Sequence, residues 1–439
     1  MQKSRPAIVH KSINLSGKIK IPADQSIAHQ ALILGGLANG KTCIRGLHEN
    51  EDILYTATAM QAMGAHIHKE KDSWIIHGTG NGCLLQAQAP LNFGTSAHLI
   101  LGMVGSYHMK TTFIGDSFSS TYLMRQILDP LRLMGAEIET PPNNFLPLTL
   151  YGPKMANPIC YHMPTASAHV KSAILLASLN TAGTTTVIEP TFTPNHTETM
   201  LKAFGAKLEV ETNKEGKQFI HFSGQPHLTG QMIDIPGNLS FASFPLIAAL
   251  LVENSDVLIE NVLINNTRID FIQTLWEMGA NIELVNKRKT VGGDVADLRV
   301  KSSPLKGITI PKERFPSILD NYDILAVAAA FAEGKTIMLG TDKLHVKESH
   351  RLSTVIQGLK NNQVNCEKGT DFLIVHGQNS AKGLDGGHVV THLDPRIAMC
   401  FLVFGLVSEK PITIDTTKII SPYFTEFIPL MQQLGGQIH

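Results

Sequence analysis

Cysteine is scarce in this chain of 439 residues: five in all, Cys43, Cys83, Cys160, Cys366 and Cys400, with no Cys-x-x-Cys pair. That spacing offers neither a zinc-ligating cluster nor a disulfide framework, and it fits a reducing cytoplasm. An excess of either charge is lacking too. Lys+Arg and Asp+Glu both number 37, so there is no basic footprint for nucleic acid and no polybasic patch for a membrane surface. Any charged ligand has to be met by a local grouping. Long apolar runs are missing as well. Stretches such as 324–332 are too short to span a bilayer, and the first six residues are followed by no apolar core of signal-peptide length. The chain reads as a soluble, cytoplasmic protein, long enough to exceed one hydrophobic core and so expected to form two domains.

What the chain has in quantity is repetition. A unit of roughly 70 to 85 residues, longer than solenoid periods, recurs six times. Its first mark is an apolar helix at 30–37, 99–104, 171–179, 244–251, 324–331 and 397–407. Its second is a β-like run after each of these, beginning at Gly40, Lys110, Gly183, Ser255, Gly334 and Lys410. Its third is a glycine closing a second helix, Gly64, Gly135, Gly205, Gly279 and Gly435, with Asn362 and Gln363 in its place in the fifth copy. Glycine suits the left-handed residue that ends a helix. The predicted unit is helix, strand, helix, strand. Such a unit cannot bury its own faces, so copies pack on one another. Six copies in two domains mean three in each, with the boundary near 235–237.

Short polar clusters precede the first helix of each copy: 26–29, 95–98, 167–169, 240–243, 320–323 and 394–396. They stand where N-caps are expected. Helix N-termini attract anions, so equivalent helices aiming their starts inward would make an anion-attracting cleft. Another such junction is densely charged. Residues 343–351 hold two Lys, two His, a Glu and an Arg between an extended run and the helical pattern Leu352, Val355, Ile356, Leu359.

Across nearly its whole length the chain resembles the 5-enolpyruvylshikimate 3-phosphate synthase family, the 3-phosphoshikimate 1-carboxyvinyltransferases. The matching stretches are 346–351 (Val-Lys-Glu-Ser-His-Arg), 164–172, 196–198, 265–268, 329–334 and 396–399. The resemblance implies an α/β fold, a two-domain inside-out α/β barrel of six βαβαββ-type repeats. One domain would hold 1–20 plus 239–439 with repeats 4 to 6, and the other 21–238 with repeats 1 to 3, the active-site cleft lying between them. It implies a monomer that binds the small anions phosphoenolpyruvate and shikimate 3-phosphate and needs no metal or cofactor. In the family reaction the substrate 5-hydroxyl attacks C2 of phosphoenolpyruvate while C3 is protonated, and phosphate leaves from a tetrahedral intermediate. Carried onto this chain, Asp320 would be the base, with Lys347 and Glu348 as its catalytic companions. Shikimate 3-phosphate would meet Gln25, Ser26, Gln30, Ser167, Ala168, His169, Thr193, Asp320 and Lys347. Phosphoenolpyruvate would meet Gln25, Gly94, Thr95, His98, Tyr122, His169, Arg351 and Arg396.

The chain departs from the family pattern at positions the chemistry uses. Gln25 stands for a lysine, Gln30, His98 and Tyr122 for arginines, and His169 for a glutamine; the loop 420–424 has no lysine. Each lost charge-assisted hydrogen bond costs about 1.5–3 kcal/mol, so four on one ligand pair amount to about 6–12 kcal/mol if additive, on the order of 10⁴-fold or more in rate. A histidine near neutral pH restores only part of a cation. Strongly reduced turnover is therefore expected, and a non-catalytic relative or an enolpyruvyl transferase with another acceptor are the alternatives. A related enzyme acting on a UDP-sugar uses a cysteine near 115–122; none lies there, and that acceptor is set aside.

Overall fold

A computed structural model of the chain describes residues 6–94, 96–115, 121–142, 146–265, 269–344, 346–378 and 386–439, leaving aside the side chains of 121–123, 343, 346 and 347. The chain forms two compact units, one of residues 1–22, 237–288 and 294–439, the other of residues 23–236 and 289–293. Here they are called the C-unit and the N-unit.

Six helices organise the fold. The N-unit has α1 (Gln25–Leu37), α2 (Ala97–Val104) and α3 (Ala168–Ser178). The C-unit has α4 (Leu239–Leu251), α5 (Tyr322–Ala330) and α6 (Pro395–Gly405). Each is predominantly apolar, and each is buried nearly throughout: Ile27 to Leu37 in α1, Leu239 to Leu250 in α4 and all of α5 lie inside. A helix with no polar face has to sit within a domain. In the C-unit the three pack on one another. In the N-unit α2 and α3 come closest: a Cβ on Gly102 would lie 2.3 Å from the Ala173 carbonyl oxygen.

Among the described residues, six four-stranded sheets of one design stand around these helices, three in each unit. In the first, Met232–Asp234 runs parallel to Lys41–Arg45, which pairs antiparallel with Ser73–His77, and that with His66–Glu70. The same order recurs from Leu91–Asn92 to Glu137–Glu139 and from Cys160–His162 to Leu208–Thr212. Strand burial alternates, as in Lys41–Arg45, so one face of each sheet meets the helices and the other meets water. The last C-unit sheet is completed by Ala7–His10, paired with Ile412–Ile414 and Gln437–Ile438. Helices inside and sheets outside, three repeats to a unit, make an inside-out α/β fold.

Two details depart from the repeat pattern. The unit ends in a hairpin rather than one strand: after the second helix, His66–Glu70 turns at Lys71, whose φ is 52°, into Ser73–His77. The closing glycines all take left-handed backbone, with φ from 93° at Gly279 to 110° at Gly435. In the fifth copy Gln363 adopts φ 66° instead, a conformation that a residue with a Cβ enters at some strain. The second departure is at the caps. The cap of α1 is Asp24, whose carboxylate accepts from the Ile27 N–H at 3.1 Å, and Ser26 is already in the first turn. Asn238 rather than Ser240 caps α4. Ser167 and Asp394 do cap α3 and α6. Among the described residues no helix is long and apolar enough to cross a membrane.

Candidate active site

In the N-unit, most of the predicted residues lie at the starts of α1, α2 and α3, whereas Tyr122 and Thr193 lie elsewhere. His98 and His169, each in the first turn of its helix, meet edge to face with ring centroids 4.5 Å apart. The Gly102 contact that lets α2 and α3 approach so closely is what brings these rings together. Gly94 leaves no room for a side chain, since a Cβ there would lie 2.5 Å from Asp52 Oδ1. Thr95 lies outside the described residues, and Tyr122 is in the helix Thr121–Leu133 with its side chain not described. Ser26 is exposed, Gln25, Ser167 and Ala168 are half-buried, and His169 is exposed. Gln30 is only 3% exposed, and its Oε1 has no hydrogen-bond partner among the described residues.

Behind these helix starts runs a polar chain that the site prediction did not contain. His29 Nδ1 lies 2.9 Å from Thr56 Oγ1, and Thr56 Oγ1 lies 3.0 Å from Ser96 Oγ. The chain links α1, the helix Glu51–Ala62 and the start of α2. Burial holds the His29 imidazole down to about 4 against the pull of Asp52 and Asp24, so this ring is neutral at physiological pH.

Thr193 is held by all three of its backbone and side-chain polar groups. Its hydroxyl donates to Glu189 Oε2 at 2.7 Å and its N–H to Glu189 Oε1 at 3.4 Å. Its carbonyl accepts from Lys171 Nζ at 3.3 Å. Lys171 is wholly buried in α3 and also meets Glu198 at 2.7 Å and Glu189 at 3.3 Å. With its proton given to Glu189, the Thr193 hydroxyl can offer a ligand only lone pairs. Burial raises the Glu198 carboxyl, and Lys171 opposes that rise. The triad was missed as a group, although Lys171 and Glu198 both lie in the family-like stretches; a lysine in the middle of an apolar helix was the available signal.

In the C-unit two of the predicted residues, Arg351 and Arg396, meet at the start of α6. Arg396 is 5% exposed. Its Nε donates to Asp323 Oδ2 at 2.9 Å, its Nη2 to Asp323 Oδ1 at 3.2 Å and its Nη1 to the Tyr423 hydroxyl at 3.0 Å. Its guanidinium carbon lies 5.8 Å from the Phe244 ring centroid. Burial disfavours the charge, yet Asp323, and after it Tyr423 and Asp320, hold the guanidinium pKa well above its ordinary value. Arg351 Nε donates to Asp394 Oδ2 at 2.7 Å, while Asp394 Oδ1 accepts from the Arg396 backbone N–H at 2.8 Å. One carboxylate thus caps α6 and ties both arginines to the same helix start. Asp320 is exposed in the turn Leu319–Asn321 just before α5. Glu348 lies in the first turn of the helix Val346–Asn361, its Oε2 buried without a partner among the described residues. Lys347 is on the same turn, with its side chain not described. Asp323, Asp394 and Tyr423 are the C-unit residues that the site prediction lacked.

Chemically, the C-unit presents a buried guanidinium, a second arginine with only Nε bonded among the described residues, and the exposed Asp320 carboxylate, whose charge acts on Arg396. The N-unit presents three helix starts and two imidazoles. Among the described residues no group of three His, Cys, Asp or Glu is placed to hold a metal ion.

Residues 9–431 match the family model described as EPSP synthase (3-phosphoshikimate 1-carboxyvinyltransferase). The chain is 67% identical to the 3-phosphoshikimate 1-carboxyvinyltransferase of Bartonella henselae and 68% identical to that of Bartonella quintana, in each case over all of both chains. It is 56% identical to the protein of the same name from Brucella melitensis, covering 99% of this chain and 97% of that one. Among solved structures it is similar to the EPSP synthase of Acinetobacter baumannii, with a TM-score of 0.92, 36% identity, and 100% and 99% of the two chains covered.

Proposed function

Since the chain belongs to the EPSP synthase family, we propose that it transfers the enolpyruvyl group of phosphoenolpyruvate to the 5-hydroxyl of shikimate 3-phosphate, in aromatic amino acid biosynthesis, at a strongly reduced rate. The observation that carries the reaction is the end-to-end match to relatives named for it. In this reading Asp320, an exposed carboxylate beside Arg396, takes the hydroxyl proton, and Lys347 and Glu348 serve protonation and leaving-group departure. Arg396 and Arg351 hold the carboxylate or phosphate of phosphoenolpyruvate. The starts of α1 and α3, with Ser26, Ser167, Ala168, His169 and Thr193, serve the sugar acid. The same reading takes the protein as a cytoplasmic monomer.

The low rate is supported by the charge of the groups in place. Gln25, Gln30 and His98 supply no fixed cation, and both arginines are already paired with carboxylates. The second reading, a relative that binds phosphoenolpyruvate without turnover or serves another acceptor, draws on the same observation.

Phosphate release from phosphoenolpyruvate with shikimate 3-phosphate tests the proposal. Slow release by the wild-type chain is expected, with a steep rise when Gln25→Lys, Gln30→Arg, His98→Arg and Tyr122→Arg are combined. Gln30 is buried, so the triple variant that keeps Gln30 is assayed alongside. No release by the wild type at high enzyme concentration, together with no gain in either variant, would overturn the reaction and leave the second reading.

A further inference from the structure

Arg396 is more deeply buried than Arg351, and among the described residues three of its five N–H donors are bonded, two of them to Asp323. The Nε and Nη2 edge is one that a guanidinium offers to a carboxylate for two-point binding. A carboxylate of this chain fills that edge. The two side chains are 6% and 5% exposed, so water screens their attraction very little. Asp323 is held in turn: its Oδ1 accepts from the Ile324 N–H at 3.0 Å. Asp394, the other acid at this helix start, is committed to Arg351 and to the α6 cap. Arg396 and Arg351 are thus each paired with a carboxylate of this chain before any ligand arrives.

We propose that Asp323 is a resident competitor for the Arg396 guanidinium and thereby sets a weak affinity for the carboxylate of phosphoenolpyruvate. The proposal rests on the reading of Arg396 as part of the phosphoenolpyruvate clamp. An incoming carboxylate meets a neutral pair rather than a cation, and it gains the two-point edge only by displacing a partner that the backbone holds in place. Asp323 acts through Arg396, as a positioning residue, and touches no substrate.

Asp323→Asn keeps the volume and one acceptor but removes the competing charge. The expected result is a KM for phosphoenolpyruvate about tenfold lower, the factor of one charge-assisted interaction, with a much smaller change in kcat. The free variant melts lower than wild type because a buried guanidinium has lost its counter-charge, and phosphoenolpyruvate raises its melting temperature more than it raises that of the wild type. A merely structural role would lower kcat and leave the KM and the ligand-induced shift alone. Asp323→Ser, smaller and also uncharged, is the second variant should the first not fold, and the same lowering is expected of it. The gain disappears when Arg396→Gln is added to either variant. An unchanged or raised KM, with a ligand-induced melting shift no larger than that of the wild type, overturns the inference while leaving the reaction in place. If neither wild type nor variant releases phosphate, the reaction fails. Calorimetry with phosphoenolpyruvate alone then decides the inference: tighter binding to Asp323→Asn upholds it, and equal or no binding overturns it.

Discussion

Replacing Lys171 by methionine should lose more stability than any exposed substitution in the N-unit, and the loss should depend on pH in a defined direction. Lys171 Nζ sits between Glu198 at 2.7 Å and Glu189 at 3.3 Å, with lysine and Glu189 fully buried and Glu198 6% exposed. Methionine keeps the stem and removes the only cation among the triad. Breaking a buried ion pair by deleting one partner costs about 3–5 kcal/mol, and here two carboxylates are left behind. One of them can escape by binding a proton. Glu198 is already shifted upward by burial even with Lys171 opposing, so deleting Lys171 pushes it further up. A carboxyl whose folded pKa lies above its unfolded value binds more protons in the folded state, so its contribution is complete below the unfolded value and is lost as pH rises through the folded one. The deficit of Lys171→Met should therefore be small near the ordinary glutamate range and reach about 3–5 kcal/mol at pH 8. Urea unfolding followed by circular dichroism at pH 5 and pH 8 measures it. Adding Glu198→Gln should recover part of the loss at pH 8 and little at pH 5. A deficit below about 1 kcal/mol at pH 8, or one that is equal at both pH values, would refute the assignment of a charge-coupled triad.

Two further outcomes follow from the N-unit. The depressed His29, about 4 against an ordinary 6.5, contributes about 3 kcal/mol of stability that is present above pH 6.5 and lost as pH falls toward 4. His29→Gln should flatten the stability profile across that window in the same urea assay, and an unaltered slope would exclude the histidine as its source. Gly102→Ala forces a Cβ to within 2.3 Å of the Ala173 carbonyl oxygen. It should cost about 1–3 kcal/mol and, by spreading α2 from α3, separate the His98 and His169 rings; a stability loss near zero would mean that these helices slide freely.

The repeats were legible because each copy carries the same two physical necessities. A helix with no polar face has to be interior, and a helix ending in left-handed backbone favours glycine, as at Gly64 and Gly205. The hairpins were harder. The turn between His66–Glu70 and Ser73–His77 is made at Lys71, with no Asn-Gly or Asp-Gly to mark it, and the strand before it is mostly polar. Caps slipped by one or two residues because Asp24 and Ser26 are equally good cap types and only the backbone distinguishes them. The ion pairs were least legible. Arg396 and Asp323 lie 73 residues apart, and nothing local tells an arginine whether its counter-charge will come from the chain or from a ligand. For the same reason Thr193 reads from sequence as an available hydroxyl, and only its contact with Glu189 shows the proton already given away.

What remains to attract two polyanions can be weighed. In the C-unit, Arg351 and Arg396 are matched by Asp394 and Asp323, and Asp320 adds a negative charge close to Arg396. In the N-unit, Lys171 is outnumbered by Glu189 and Glu198, and His29 is held neutral. These particular side chains therefore supply no net positive charge in either unit. The starts of α1, α2 and α3 remain, each worth about 0.3–1 kcal/mol to an anion, together with whatever Lys347, His98 and His169 contribute. A helix start offers less than the about 1.5–3 kcal/mol of a single charge-assisted hydrogen bond, so these starts can orient an anion but cannot replace the missing cations. Under the proposed reading the limiting quantity is the charge left free after the chain has neutralised itself, so that reading makes Asp323 and the residues at 25, 98 and 122, rather than the fold, the positions at which substitution should change the rate most.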